Sequence, residues 1–295
     1  MLGWLGTNLV TIIDGVAFGV LLFTIALGLS LVFGVMDVLN LAHGALYLGG
    51  AYLAVTVLGD GGGGLLVFVL AALVALAAGA VAGAGLSLVT RPIAHRGHLD
   101  QALLTLGIAF VLADLFSEAY GNDVKSVAAP AVLGGSTSIL GDSYPTYRLV
   151  VIAVGLLLAL GAWYLIERTR VGSLVQASVA DPQMVRALGV NTTYLVTGVF
   201  AAGAALAAFG GVLGAPILSA SPGLDTRVLI LGLVVVVIGG LGSVSGALVG
   251  ALLIGQVEAL GVSLLPTYAS FLTFGTMALV LLLRPSGILA SGRAA

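Results

Sequence analysis

Long, uninterrupted apolar runs dominate the pattern of this chain. Residues 65–89 contain no charged residue over 25 positions, and residues 149–166 contain none over 18. A helix needs about 20 apolar residues to cross the ~30 Å hydrocarbon core of a bilayer. The runs lack the period-two alternation that is typical of membrane-barrel strands. We therefore predict an all-α fold, a polytopic bundle of transmembrane helices.

The apolar runs predict nine spans within a single domain that covers residues 1–295. They are 9–33, 36–58, 65–89, 101–118, 147–166, 194–218, 228–241, 246–262 and 268–283. The seventh run would rise only about 21 Å as a helix, and the connection that follows it carries no charge. This leaves open that the seventh and eighth runs are short or broken helices. The expected number of spans is eight to ten.

Composition supports a membrane protein and excludes several other classes. Of the 295 residues 60% are hydrophobic and 7% are charged, and the mean hydropathy is +1.23. Soluble proteins carry about 25% charged residues, so a soluble enzyme is excluded. The net charge of −2 leaves no basic surface for nucleic acid. The absence of cysteine excludes disulfides, thiolate metal sites and cysteine nucleophiles.

The positive charges predict how the chain is oriented. Seven of the ten fall on one side of the predicted spans: Arg91, Arg96, Arg168, Arg170, Arg186, Arg284 and Arg293. The other side has Lys125, Arg148 and Arg227. Because cytoplasmic loops carry an excess of Lys and Arg, we expect the N-terminus outside and the C-terminus in the cytoplasm. The long segment 119–146 is then an outer loop, and 167–193 is a cytoplasmic loop.

A short helix is predicted within the loop 167–193. Asp181 suits the N-cap, Pro182 suits the first helical position, and Gly189 suits the residue after the helix. Met184, Val185 and Leu188 would give this helix an apolar side. A helix this short is marginal in water, so it must pack on something. The sequence leaves two possibilities open. The helix docks on a partner, or it lies against its own membrane domain or the bilayer surface.

Polar residues at membrane depth are costly and usually functional. Asp37, Asn40 and His43 open the second predicted span, where Asn40 and His43 would share a helix face. They would either line a solute path or hydrogen-bond between helices. Gln256 and Glu258 lie in the eighth span, and no Lys or Arg is near Glu258 in sequence. A structural, gating or proton-relay role for Glu258 stays open.

Two further patterns in the sequence do not predict a ligand site. His95, His98 and Asp100 have a spacing that could bind a metal, but they lie in a loop expected to be solvated, so no metal site is predicted. The glycine-rich segment 240–246 lacks the spacing of a dinucleotide fingerprint and the lysine of a phosphate loop. We therefore expect no bound cofactor and no ATPase site. The glycines instead favour a helix break that faces a cavity.

Three stretches resemble one known family. Residues 28–44, with Asn40, His43 and Gly44, are similar to the second-span signature of bacterial branched-chain amino-acid permeases, the membrane subunits of ATP-binding-cassette importers. Residues 239–250, with Gly242 and Ser243, resemble the glycine-rich segment of that family, which Glu258 follows. Residues 170–192 resemble its cytoplasmic loop. The likeness covers nearly the whole chain and is closer to the first of the two permease types.

The resemblance implies a mechanism and partners. The importer would work by alternating access in the bacterial inner membrane, surrounded by lipid. A homologous second permease would complete the path, a periplasmic or lipid-anchored binding protein would deliver solute, and two ATPase subunits would bind ATP and Mg. The implied path residues are Asn40, His43, Gly44, Gly242, Ser243 and Glu258. The implied ATPase-coupling residues are Asp181, Pro182, Met184, Arg186, Leu188 and Gly189.

Other functions remain as alternatives at this point. Relatives of the family import urea or short amides, so the solute is left open between these and amino acids. A stand-alone ion-coupled transporter would need ionisable groups along the bundle, and Asp37, His43 and Glu258 are the candidates. An intramembrane enzyme is not supported, because no paired carboxylates, metal ligands or nucleophile are visible in the sequence.

Overall fold

A computed structural model describes residues 2–36, 40–59, 61, 63–93, 97–139 and 142–289. Over these ranges the chain forms eleven α-helices and one antiparallel hairpin. The helices are α1 (Leu2–Met36), α2 (His43–Leu58), α3 (Leu65–Thr90), α4 (His98–Tyr120), α5 (Thr146–Arg168), α6 (Arg170–Ala180), α7 (Pro182–Ala187), α8 (Thr192–Leu218), α9 (Leu224–Gly239), α10 (Val244–Leu264) and α11 (Ala269–Leu283). The strands are β1 (Ser136–Ile139) and β2 (Asp142–Pro145), and short 3₁₀ turns cover Arg91–Ile93, Ala131–Leu133 and Pro266–Tyr268.

Each predicted apolar run forms a helix, which confirms the all-α bundle. Seven of the described helices are long and apolar enough to cross a membrane: α1, α3, α4, α5, α8, α10 and α11. Helices α2 and α9 have 16 residues each and rise about 24 Å. The seventh run is therefore short, as its length indicated. The eighth run forms α10, a continuous helix of 21 residues, so the possibility that it is short or broken does not hold.

The start of the second span differs from its prediction. We predicted a helix from residue 36, whereas α2 begins at His43 and Asn40 lies in the turn before it. The side-chain oxygen of Asn40 accepts a hydrogen bond from the backbone N–H of Ala42 at 3.1 Å. Such a local side-chain bond competes with helix formation. The predicted helix face shared by Asn40 and His43 is thus wrong, and Asp37 lies outside the described residues.

Helix α1 is the centre of the bundle. In its most apolar window 78% of the residues are buried, compared with 11% in α4 and in α11. It packs against α5, α8, α9 and α10, while α2 and α3 pack against α8. Glycines allow these close approaches: a methyl group at Gly50 of α2 would overlap the carbonyl oxygen of Ala208 in α8. The outward apolar faces of α3, α4, α5 and α11 suit lipid or another membrane subunit.

One end of the bundle, here called the hairpin end, contains residues 121–139, 142–145 and 219–223. Strand β1 pairs with β2 in antiparallel register, with Ser136 opposite Pro145 and Ile139 opposite Asp142. Lys125 and Ala220 exchange two backbone hydrogen bonds of 2.8 Å. These links join the loop after α4 to the loop after α8. The loop predicted at 119–146 is therefore a small folded element rather than an irregular connection.

The opposite end, here called the α7 end, contains α6, α7 and residues 284–289. Helix α6 was not predicted. It buries one face, formed by Gly172, Val175 and Ser178, and it packs against α5 and α1. The C-terminal segment folds back on α9, since the backbone N–H of Ile288 donates to the carbonyl oxygen of Ile238 at 2.8 Å. His95, Arg96 and Arg293 lie outside the described residues.

Candidate functional site

A cavity of about 380 Å³ opens near the hairpin end, between α1, α5, α8, α9 and α10. Four of its lining side chains carry charge: Asp14, Arg148, Arg227 and Glu258. The remaining lining residues are small, polar or apolar: Thr11, Ala17, Phe18, Ile217, Leu218, Ala259, Val262 and Ser263. Two acids and two bases leave the wall with no net formal charge. The cavity falls within the ~300–1,000 Å³ range of ligand pockets.

Two of the charged side chains neutralise each other. Arg148 of α5 and Asp14 of α1 form an ion pair, and each is about one-third exposed. The phenol of Tyr144 in β2 donates a hydrogen bond to Oδ1 of the same carboxylate at 2.8 Å. Burial, with this hydrogen bond as a smaller cause, raises the pKa of Tyr144 above its usual value. The cluster ties the hairpin to the central helix.

The other two charged side chains do not pair. Arg227 is exposed, and its guanidinium makes no hydrogen bond or ion pair with any residue in the described part of the chain. Glu258 is half-buried, and its Oε1 accepts a hydrogen bond from Thr273 of α11 at 2.6 Å. The neighbouring Gln256 donates to the carbonyl oxygen of Ile12 at 2.8 Å, which joins α10 to α1. A cation and an anion thus line one cavity without forming an ion pair.

The remaining predicted path residues lie away from this cavity. Asn40, His43 and Ser243 are buried. None of the three lines the charged cavity or the three other cavities formed by described residues. A methyl group at Gly44 would overlap the backbone carbonyl oxygen of Asp225 at the start of α9. Of the six path candidates, only Glu258 borders the charged cavity, and the structure does not bring it together with the other five.

The turn between α9 and α10 is built for close packing. Gly242 has a φ of +74°, a conformation that favours glycine. Ser243 is the N-cap of α10, and its hydroxyl accepts the N–H of Gly246 at 3.0 Å. The Cα of Gly242 lies against Gly34 of α1. The glycine-rich pattern predicted a helix break here. The structure adds that Gly242 forms the turn and that Ser243 caps the next helix.

Helix α7 has the local structure that its sequence predicted. The carboxylate of Asp181 accepts hydrogen bonds from the N–H groups of Gln183 and Met184 at 3.0 and 2.9 Å. Pro182 is the first helical residue, and Gly189 follows the helix with a φ of +81°. Arg186 donates from Nε to the hydroxyl of Thr192 at 2.9 Å, which fixes α7 to the start of α8.

The apolar side chains in and directly after α7 differ in exposure. Val185 is 3% exposed and faces the bundle, whereas Met184 is 60% and Leu188 is 74% exposed. Tyr194, at the start of α8, is 76% exposed. Large apolar side chains at the polar end of a membrane bundle suit a protein interface better than open water. This surface, formed by Met184, Leu188 and Tyr194, is called the α7 surface below.

Comparison with known proteins decides the family. Residues 11–281 match the model of the branched-chain amino acid transport system permease component. The chain belongs to this permease family. The permease is 30% identical to the high-affinity branched-chain amino acid transport system permease protein BraD of Pseudomonas aeruginosa, covering 94% of each chain. It is also 30% identical to the LivH permease protein of Escherichia coli, covering 94% of this chain and 93% of the relative.

A more distant relative is named for a different solute. The permease is 31% identical to the fructose import permease protein FrcC of Rhizobium meliloti, over 58% of this chain and 50% of the relative. No solved structure matches the permease at a significant level. The family match and the seven long apolar helices identify the chain as a multi-pass membrane permease.

Sequence analysis missed part of the charged cavity of this permease. Arg148 and Arg227 were counted only as positive charges for orientation, and Asp14 was not considered as a site residue. These residues come from three helices that are far apart in sequence, so local spacing could not group them. The only signal was chemical, since Arg148 and Arg227 lie at the edges of apolar runs and Asp14 lies within one, where charge is costly.

Proposed function

We propose that the permease forms half of the translocation path of an ATP-driven importer for branched-chain amino acids. The observation that carries the proposal is the match over 94% of the chain to two permeases whose names state this transport system. The fructose permease matches only 58% of the chain. The path operates by alternating access, in which both the solute site and the ATPase site bias the same two states.

Partner subunits supply what this chain does not. A homologous second permease completes the path, and a periplasmic or lipid-anchored binding protein delivers the solute. Two ATPase subunits bind ATP and Mg, and hydrolysis takes place on them. The sequence supports this division, because its glycine-rich segment 240–246 has neither the spacing nor the lysine of a nucleotide-binding loop.

Helix α7 couples the permease to one ATPase. The exposed Met184 and Leu188 would enter a groove on the ATPase, while Val185 anchors the helix to the bundle. Asp181, Pro182 and Gly189 set the start and end of the helix, and Arg186 holds it against α8. A displacement of α7 would therefore pass directly into α8, which packs against α1, α2 and α3.

The positive charges support an inner-membrane orientation with the α7 end in the cytoplasm. Arg91, Arg168, Arg170, Arg186 and Arg284 belong to segments at that end, whereas Lys125, Arg148 and Arg227 belong to the hairpin end. This asymmetry fits the positive-inside rule. In the proposed orientation the N-terminus lies outside, the C-terminus lies in the cytoplasm, and the charged cavity opens on the side from which solute arrives.

Reconstitution of the complete importer in liposomes tests the proposed function. We expect uptake of labelled leucine, isoleucine or valine that requires ATP, the binding protein and both ATPases. Urea and fructose at equal concentration serve as the competing solutes. Uptake by the permease alone, driven by a proton gradient, would show a secondary transporter instead. ATP-dependent uptake of urea or fructose in preference to leucine would keep the importer and reject the amino-acid assignment.

A further inference from the structure

The charged cavity has the chemistry of a site for a zwitterion. Arg227 presents an exposed guanidinium without a protein partner in the described chain, and Glu258 presents a carboxylate in the same cavity. The two are on different helices, α9 and α10, and they form no ion pair. A guanidinium binds a carboxylate through two parallel hydrogen bonds, and a carboxylate accepts hydrogen bonds from an ammonium group.

The rest of the cavity selects for a neutral, apolar solute. Asp14 and Arg148 already neutralise each other, so the whole wall carries no net formal charge. Phe18, Ile217 and Leu218 supply apolar surface between the charged groups. An aliphatic side chain gains by leaving water for such a surface. A cation or an anion would leave one of the two free charges without a counterpart.

We propose that this cavity is an acceptor site for an α-amino acid zwitterion released by the binding protein. Arg227 binds the α-carboxylate, Glu258 binds the α-ammonium group, and the aliphatic side chain lies against Phe18, Ile217 and Leu218. The proposal rests on the proposed function for the amino-acid class and for the outward position of the hairpin end. It adds a second point of selection, on the permease itself, after the binding protein.

Glu258 is suited to a substitution that separates binding from packing. Its Oε1 accepts the hydroxyl hydrogen of Thr273, and the amide oxygen of glutamine can accept the same bond. Glu258→Gln therefore removes the negative charge and keeps the link between α10 and α11. The guanidinium of Arg227 has no such link in the described part of the permease, so Arg227→Gln removes a charge without breaking a side-chain hydrogen bond or ion pair. Lys125→Gln removes a cation at the hairpin end that does not line the cavity.

The test is equilibrium binding of labelled leucine to the assembled importer in phosphatidylcholine nanodiscs, without the binding protein. We expect Arg227→Gln and Glu258→Gln each to weaken binding by about tenfold to a hundredfold, the effect of losing one charge-assisted hydrogen-bonded contact. Lys125→Gln should bind as the unmodified permease does. Thermal unfolding of each variant, measured in parallel, should change little.

Two leucine analogues make the assignment of each residue specific. Isoamylamine lacks the carboxylate, and 4-methylpentanoate lacks the ammonium group. In competition with labelled leucine, Arg227→Gln should abolish the preference for leucine over isoamylamine, and Glu258→Gln the preference over 4-methylpentanoate. An unfolded variant would lose affinity for all three compounds alike, so the pattern distinguishes binding from folding.

Several results would overturn the site and leave the proposed function intact. One is an importer that transports leucine although no binding is detected in the nanodiscs, and another is equal binding by all variants. A third is loss of leucine binding when phosphatidylethanolamine, whose primary ammonium group can donate hydrogen bonds to Glu258, replaces phosphatidylcholine, whose quaternary ammonium group cannot. The last result would assign the cavity to lipid. Failure of the complete importer to transport any branched-chain amino acid is a separate result, which would reject the proposed function.

Discussion

The imidazole of His43 packs against the backbone of Gly28, and a methyl group added at position 28 would lie 2.6 Å from Nε2. The ring is fully buried, and within the described residues neither nitrogen has a hydrogen-bond partner of good geometry, although the ring lies near the backbone of Ile25. Gly28 also approaches the carbonyl oxygen of Gly203. His43 thus occupies a three-helix contact between α1, α2 and α8.

We expect Gly28→Ala to destabilise the permease, because the added methyl group has no space between His43 and Gly203. Overpacking of this kind costs about 1–3 kcal/mol. Thermal unfolding in detergent measures the effect. Gly85→Ala in α3 is the matched control, since a methyl group there meets no atom within 4 Å. Equal melting temperatures for both variants would show that the contact between α1 and α2 is looser than described.

The ion pair between Asp14 and Arg148 should contribute a measurable coupling energy. Each group is about one-third exposed, so solvent screening limits the pair to about 1 kcal/mol. Unfolding of Asp14→Asn, Arg148→Gln and the double variant forms a cycle that isolates this energy. Additive losses from the two single variants would mean that the hairpin end is held by Tyr144 and the backbone contacts alone.

The α7 surface should be essential for coupling but not for folding. Met184→Glu and Leu188→Glu place a charge at positions whose side chains are mostly exposed. We expect the reconstituted importer to keep its ATPase activity while leucine uptake falls by about tenfold, which corresponds to ~1.4 kcal/mol of lost interface energy.

Val132→Glu is the control for this experiment, because Val132 is equally exposed, at 72%, but belongs to the hairpin end. It should leave uptake per ATP hydrolysed unchanged. Normal uptake by both α7 variants would reject the coupling role of this helix. Charge reversal at Asp181 and Arg186 is less informative, since both side chains also hold the local structure of α7.

Ser243 should stabilise the start of α10 through its cap. Ser243→Ala removes the acceptor for the N–H of Gly246, and loss of an N-cap costs about 1 kcal/mol. Thermal unfolding should show this loss. Ser245→Ala, at an exposed position whose hydroxyl meets that of Ser243 at 3.4 Å but does not cap the helix, should cost less. A larger loss of transport than of stability in Ser243→Ala would instead support its predicted role in the solute path.

Local sequence was enough to predict elements whose stability depends on residues a few positions apart in the chain. The cap of α7 could be predicted because Asp181, Pro182 and Gly189 each act within two or three positions. It was not enough for α2, where Asn40 bonds its own turn and shortens the helix. Helix α6 was missed although Val171, Leu174 and Val175 recur at helical spacing. Its buried face also includes Gly172 and Ser178, because tertiary packing decides which face is covered.

The amino-acid sequence by itself determined the membrane-spanning bundle, the positions of its seven long apolar helices and the family, because hydrophobic run length and local motifs carry that information. Only the tertiary structure decided which charges meet. Glu258 has no basic neighbour in sequence, yet it shares a cavity with Arg148 and Arg227. The reason is physical: helix packing brings together side chains from five helices, and no periodic pattern along a single helix specifies its neighbours.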